Sequence, residues 1–359
     1  MREIGSEFWT DCTPLNGNGL SSVVPDGYDS HYVLSGRTAL DIILDDIVNT
    51  KTVTSAYLPS YCCHTMIEPF LVHNISVQFY EVSFGSDGIV SDIDIDHPCD
   101  IVYLIDYFGY INNRTHQLAS EFKARGKSVI YDATHSLFCR GYDNSNYDYV
   151  FASFRKWTNI NAAFCAKRGE WDNFLMLSEF DAYTDLRNAS FDRKKDYVCG
   201  DEKADKDLFL RDFACAEEML EKNYKRYKPD KRSFEALNGT DVDFLKNARR
   251  ENAEYLTKMI NGMDCKYLRA VYTHISENDS PLFVPLEVTD GKRDALRRHL
   301  IDNRIYLPVH WPVSELHREY KAVGNIYETT LSCVCDQRYS ISDMTRIIDV
   351  IKQFVSNND

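Results

Sequence analysis

Short apolar runs, each closed by a polar or glycine-bearing break, dominate the first half of the chain. The runs "VTSAYL" (53–58), "SVQFYEV" (76–82), "DIVYLID" (100–106), "KSVIYD" (127–132), "YVFAS" (149–153) and "AFCAK" (163–167) predict strands. Several carry no apolar-polar alternation, the pattern of strands covered by helices on both faces. Ahead of them, Ala39, Leu40, Ile42, Ile43, Leu44 and Ile47 recur at helical spacing behind "SGRT", which predicts an amphipathic helix. The alternation of such segments from residue 31 to 170 predicts an α/β domain built on a mostly parallel central sheet.

Beyond residue 170 the pattern changes. "DLFLRDFACAEEMLEKNYKRY" and "DVDFLKNARRENAEYLTKMI" repeat apolar positions at three and four and predict helices, interrupted by "KPDKRS" and "LNGTD". A strand at "LFVPLEV", a helix at "GKRDALRRHLIDN", a short strand at "IYLPV" and a last helix from Ser342 to Val355 then predict a smaller α+β unit. Ser340 and Asp343 have the spacing of a capping pair for that last helix. These shifts divide the chain into an N-terminal arm (1–30), a large α/β domain with a helical extension (31–262) and a small C-terminal α+β domain (263–359). In the arm, "GSEFW" (Gly5 to Trp9) holds aromatic residues that need burial across the site mouth or against a second subunit. "SDGIVSDIDIDHPCD" lacks the glycine and terminal glutamate of a calcium-binding loop and is expected to be a solvated turn before a strand.

A chain of 359 residues with 44% hydrophobic positions has material for more than one core. The formal charge of -14, with no dominant cluster of Lys and Arg, argues against a nucleic-acid partner. No apolar run approaches the roughly 20 residues of a membrane span, and no secretory leader is evident. The 11 cysteines are scattered, without a CxxC unit, which argues against a disulfide framework and a metal site and favours a reducing cytoplasm.

Chemistry enters at the predicted strand ends, where ligands bind in open parallel sheets. Asp132 closes "SVIY", and Ser153 to Lys156 follow "YVFA". A carboxylate can keep a heteroaromatic nitrogen protonated and a lysine amine can bond an aldehyde, which together are the minimum that pyridoxal phosphate requires. A phosphate site is available at "SGRT", where the amides of Gly36, Arg37 and Thr38 open a helix; the simpler reading of Ser35 is an ordinary N-cap.

The segments "LSGRTAL", "YLPSYCCHTM", "DYFGY", "YDATHSL" and "SFRKW" stand in the order and near the intervals of fold-type-I pyridoxal-phosphate enzymes. Over residues 31–170 the chain most resembles the DegT/DnrJ/EryC1/StrS sugar aminotransferases. That resemblance implies the aspartate aminotransferase-like fold and a homodimer. It also implies transfer of an amino group from an amino acid such as glutamate to a keto-sugar, by family habit in nucleotide-linked form. Residue by residue, it implies Lys156 as the group that bonds the cofactor aldehyde and Asp132 as the partner of the ring nitrogen. His135 stands where the family usually has a Gln near the ring oxygen; Ser153, Gly36, Arg37 and Thr38 match phosphate contacts. Cys63 occupies the position of an aromatic that stacks on the ring, and "WTNINAAF" replaces the family's glycine-rich turn after the lysine.

Other residues carry competing readings. Arg338 stands where such folds grip a donor carboxylate, although Asp336 could instead hold it in a structural ion pair. His310, beside Trp311, is a candidate substrate contact between the domains. Lys167 is the rival to Lys156 but lacks the preceding serine. Two alternatives to aminotransfer stay open: another pyridoxal-phosphate reaction, such as decarboxylation, elimination or desulfuration, and a non-catalytic relative with a binding or regulatory role.

Overall fold

A computed structural model describes residues 2–172, 174–317 and 325–358. In chain order the elements are β1 (Ile4–Gly5), β2 (Tyr28–Val33), α1 (Gly36–Thr50), β3 (Ser55–Pro59), α2 (His64–Val72), β4 (Ser76–Phe84), β5 (Ile89–Asp92), β6 (Ile101–Ile105), α3 (Asn113–Ala124), β7 (Ser128–Asp132), β8 (Tyr149–Ser153) and β9 (Ala163–Arg168). The helical stretch follows as α4 (Asp181–Cys199), α5 (Lys206–Lys222), α6 (Lys231–Gly239) and α7 (Val242–Asn261). The C-terminal unit holds β10 (Leu268–Ala270), β11 (Phe283–Val288), α8 (Arg293–Asp302), β12 (Ile305–Tyr306), α9 (Ile326–Thr329), β13 (Thr330–Val334) and α10 (Ile341–Ser356).

The large sheet has the order β2-β9-β8-β7-β6-β3-β4-β5. Its five middle strands, β8, β7, β6, β3 and β4, run parallel, while β9 and β5 are antiparallel to their inner neighbours. Every residue of β6, β7 and β8 is buried, which explains why their sequences lack alternation. α1 packs on β8 and β9 and α3 on β6 and β7. Because β7 and β8 are parallel with Asp132 opposite Phe151, Asp132 and Ser153 end on the same edge of the sheet.

Five strands lie outside the sequence expectation: β1, β2, β5, β10 and β13. β2 and β5 are flanking strands, and "SDGIVSD" contains β5 where a solvated turn was expected. β13, "TLSCV", pairs with β11 and is fully buried although three of its five residues are Thr, Ser and Cys. β10 completes its three-stranded antiparallel sheet. The cap of α10 matches its reading, with Ser340 and Asp343 forming a reciprocal capping box. The second core gathers Leu286, Leu331, Ile347 and Ile351 with Ala253, Leu256 and Ile260 of α7, so α7 spans from the large sheet into the small unit. All 11 cysteines are free, and among the described residues no helix is long and apolar enough to cross a membrane.

The arm is pinned rather than loose. β1 pairs in parallel with β12, and the Gly5 amide donates to the Tyr339 hydroxyl at 2.8 Å. Gly5 has φ +95°, and a Cβ there would lie 2.1 Å from the Tyr306 carbonyl oxygen. Gly5→Ala is therefore expected to destabilise the protein by about 1–3 kcal/mol through backbone strain and the lost strand pairing. Thermal or urea denaturation checks this; an unchanged midpoint would contradict the arm's pairing.

Candidate active site

The two strand ends are tied together by one residue. Asp132 accepts the Thr134 amide at 2.8 Å and the Tyr103 hydroxyl at 2.5 Å. The Thr134 hydroxyl accepts the Ser153 amide at 3.1 Å, and its carbonyl accepts the Trp157 indole N–H at 2.8 Å. The turn that carries Lys156 is thereby fixed against the end of β7. Burial raises the pKa of the Asp132 carboxyl even though Thr134, Tyr103 and Lys156 favour its charged form.

The N-terminus of α1 reaches the same edge. A Cβ at Gly36 would stand 3.3 Å from that of Ser153, so the glycine permits a close approach of helix start and strand end. Ser35 caps the helix by accepting the Thr38 amide at 3.1 Å. The Thr38 hydroxyl donates to the Tyr224 carbonyl at 2.6 Å. Thr38 is fully buried behind the helix start, so the expected donor set narrows to the first two amides, those of Gly36 and Arg37, with Ser153 alongside.

These groups enclose a cavity of about 300 Å³ lined by Gly36, Arg37, Asp132, His135, Ser153 and Lys156. Lys156 is exposed to it, and no hydrogen bond or ion pair holds its amine among the described residues. Lys167, by contrast, is bound to Asp46 at 2.9 Å and Asp172 at 2.7 Å, away from the cavity. The His135 Nδ1 accepts the Phe108 amide at 3.3 Å, which places the ring proton on Nε2. Burial, with the nearby Lys156 charge, pushes the His135 pKa down to about 3, so the ring is neutral across the physiological range.

Cys63 caps α2 at the rim of this cavity, with its Sγ 2.9 Å from the Thr65 hydroxyl. The aromatic surface comes from elsewhere: Trp311 lines the same cavity and lies nearly parallel to His135, 5.5 Å away at 25°. Sequence reasoning paired Trp311 with His310 between the domains, and missed Thr134, Tyr103 and Glu217. Thr134 lies inside "YDATHSL", and Tyr103 three residues before the end of a predicted strand; Glu217 sits on a helix 61 positions after Lys156 in sequence and gave no local signal.

A second compartment, about 410 Å³, adjoins the first and shares Arg155 and Lys156 with it. His310 lines this one, its Nδ1 2.8 Å from the Ser332 hydroxyl, and burial beside His135 and Lys156 keeps it neutral. Arg338 also borders it, but its guanidinium is closed off. Nε and Nη2 pair with Asp336 at 2.7 and 2.8 Å, and Nη1 donates to the carbonyls of Ser6 and Glu7. Four of the five Arg338 N–H donors are thereby engaged within the chain, which gives this arginine a clasping role between the arm and Asp336.

Beside Lys156, Arg155 binds Glu217 at 2.8 Å and the Tyr183 hydroxyl at 2.9 Å; Arg187 reaches both Glu217 and Glu7. Burial alone would raise the Glu217 pKa, but Arg155, Arg187 and Lys156 outweigh it and hold it at about 2.

No protein-family model matches the sequence, and no curated protein matches it. Solved structures do. The sugar aminotransferase CalS13 from Micromonospora echinospora superposes with a TM-score of 0.62 at 16% identity, over 90% of this chain and 87% of that one. Spr1654 from Streptococcus pneumoniae in its PLP form gives 0.64 at 12% identity, over 97% and 93%. DesI, solved in the presence of its TDP-sugar product, gives 0.62 at 10% identity, over 99% and 95%. This chain has the fold of the sugar aminotransferases. At these identities the likeness concerns architecture, and the site stands on its own geometry.

The depressed Glu217 pKa has a definite sign. Its stabilising contribution is fully present above about pH 4.5 and is lost as pH falls from there through about 2. Glu217→Gln is expected to lower stability at neutral pH and to flatten the acid-side loss across that window, as read by denaturant midpoints against pH. A variant with the wild-type acid profile would contradict the pairing.

Proposed function

We propose that the chain is a pyridoxal-phosphate-dependent aminotransferase that moves an amino group from an amino acid such as glutamate to a keto-sugar, the nucleotide-linked form being favoured by the likeness to DesI. The observation that carries this reading is a single unpaired lysine, Lys156, exposed in a cavity with a buried carboxylate, Asp132, in its wall.

The residues present fit the cofactor. Asp132 already accepts two hydrogen bonds, and its burial disfavours a lone negative charge, so a cationic ring N–H is the complement it lacks. The open amides of Gly36 and Arg37 at the start of a 15-residue helix, with the Ser153 hydroxyl, suit a phosphate. His135, proton on Nε2, suits a ring oxygen. Bound there, pyridoxal phosphate supplies an electron sink for a carbanion.

The protein's own groups then divide the work. Asp132 holds its charge toward the ring nitrogen, stiffened by Tyr103 and Thr134. Lys156 is the base and acid that takes a proton from the substrate carbon and returns it, its turn anchored through Trp157. Arg155 is neutralised by Glu217, so it shapes the wall beside Lys156 without competing for its proton. Neutral His310 and the arm residues Glu7 and Phe8 narrow the second compartment. A homodimer and a cytoplasmic location belong to the same proposal, following the family the sequence resembles.

Purified protein with pyridoxal phosphate is expected to transaminate a keto-sugar with glutamate. Lys156→Ala should lose at least about 10²-fold in rate, while Lys167→Ala retains activity. Failure of every donor and acceptor pair with the wild type would contradict the aminotransfer reading. His135→Gln, which keeps an N–H donor, is expected to retain cofactor affinity where His135→Leu loses it. Because His135 is already neutral, that affinity should show no His135-dependent titration between about pH 5 and 8; such a titration, measured by equilibrium dialysis, would contradict its assigned state.

A further inference from the structure

The compartment of about 410 Å³ next to Lys156 carries an unbalanced positive charge. Arg338 is neutralised by Asp336 and Arg155 by Glu217, while Glu7, the other carboxylate of the lining, pairs with Arg187. Arg249 and Arg297 have no such partner: among the described residues neither is in an ion pair. Arg249, from α7, is 1% exposed. Its Nη1 and Nη2 donate to the carbonyls of Leu282 and Trp157 at 3.0 and 3.1 Å, its guanidinium lies 4.7 Å over the Trp157 ring, and its Nε has no partner. A buried guanidinium matched by carbonyl dipoles and an aromatic face, with Asp336 the nearby carboxylate but already paired to Arg338, leaves a positive potential that an anion would relieve.

Arg297, from α8, is exposed and differently placed. Its Nε donates to the Leu307 carbonyl at 3.4 Å, which turns the side chain along the segment leading from β12 to His310. Its two terminal nitrogens make no hydrogen bond among the described residues and present a planar fork suited to carboxylate or phosphate oxygens. Phe283, Leu307 and Val334 supply apolar wall to the same compartment, and low-dielectric walls strengthen a charge interaction.

We propose that this compartment binds the anionic end of a substrate, a carboxylate or phosphate group, with Arg297 in direct contact and Arg249 as the fixed positive charge behind it. The proposal rests on the reading of Lys156 as the reacting amine and adds to it the direction of the substrate: reacting carbon at Lys156, negative charge toward α8. It also moves anion recognition from Arg338, which the arm and Asp336 occupy, to an arginine that the sequence gave no reason to select.

The test is isothermal titration calorimetry of the full chain with glutarate and, separately, inorganic pyrophosphate, for the wild type, Arg297→Ala, Arg297→Lys and Arg298→Ala. Arg298 is exposed on the same helix but does not line the compartment. At least one probe is expected to bind, weakened about 10- to 100-fold by Arg297→Ala, partly restored by Arg297→Lys and unchanged by Arg298→Ala. A response to glutarate identifies a carboxylate substrate, a response to pyrophosphate a phosphorylated one. No binding of either probe to the wild type, equal binding by Arg297→Ala, or equal losses in Arg297→Ala and Arg298→Ala would overturn the proposal. Pyridoxal phosphate capture, followed by absorption on the same samples, separates the two levels. Capture with unaltered anion binding in Arg297→Ala rejects this subsite alone, whereas a wild type that captures no cofactor rejects the reading of Lys156 and the subsite with it.

Discussion

Thr134 joins two strand ends, Asp132 and Ser153, that stand 21 positions apart in the sequence, and the site depends on that junction. Its amide holds Asp132, its hydroxyl holds the end of β8 through the Ser153 amide, and its carbonyl holds the Trp157 indole. Three hydrogen bonds from one buried residue therefore set the distance between the acid and the lysine turn. Parallel pairing of β7 and β8 alone would leave the turn after Ser153 free to move. With Thr134 in place, the acid and the amine are presented by backbone whose polar groups are satisfied, the condition for holding a reactive pair without loss of stability.

The same economy governs the departure after Lys156. In place of a glycine-rich turn, the chain has Trp157 to Ala162, and the remote partners explain how that segment is accommodated. The Trp157 carbonyl accepts from both Arg249 and Gln337 at 3.1 and 2.9 Å, and the Asn161 amide donates to the Ser233 hydroxyl at 3.0 Å. Gln337 also donates to Thr13 of the arm, whose hydroxyl lies 3.0 Å from that of Thr158. Arm, α7 and the loop before α10 thus converge on the residues following the lysine. Side-chain donors replace the close backbone approach that glycine would permit, and the position of Lys156 becomes coupled to the seating of the small unit.

What could be read from the sequence follows from where the determining contacts lie. β7 and β8 were legible because both faces are covered and their central residues are apolar or aromatic without alternation. The adjacency of Asp132 and Lys156 followed from strand order in a parallel sheet. β13 was not legible, because Thr330, Ser332 and Cys333 are buried polar or small residues with no periodic signature; β2 was not, because its polar residues sit on a flanking strand. Thr38 and Arg338 show a different limit. Their sequence neighbourhoods suit anion binding, but the Tyr224 carbonyl and the arm carbonyls, which come from distant segments, take their donors. The free lysine could be named from its strand; the free arginine could not.

The most direct test of the central claim is chemical. Incubation of the protein with pyridoxal phosphate, reduction with borohydride and peptide mapping by mass spectrometry should place the stable pyridoxyl label on the peptide containing Lys156, at near one label per chain. Labelling at Lys167, labelling spread over exposed lysines, or no specific label would contradict the account.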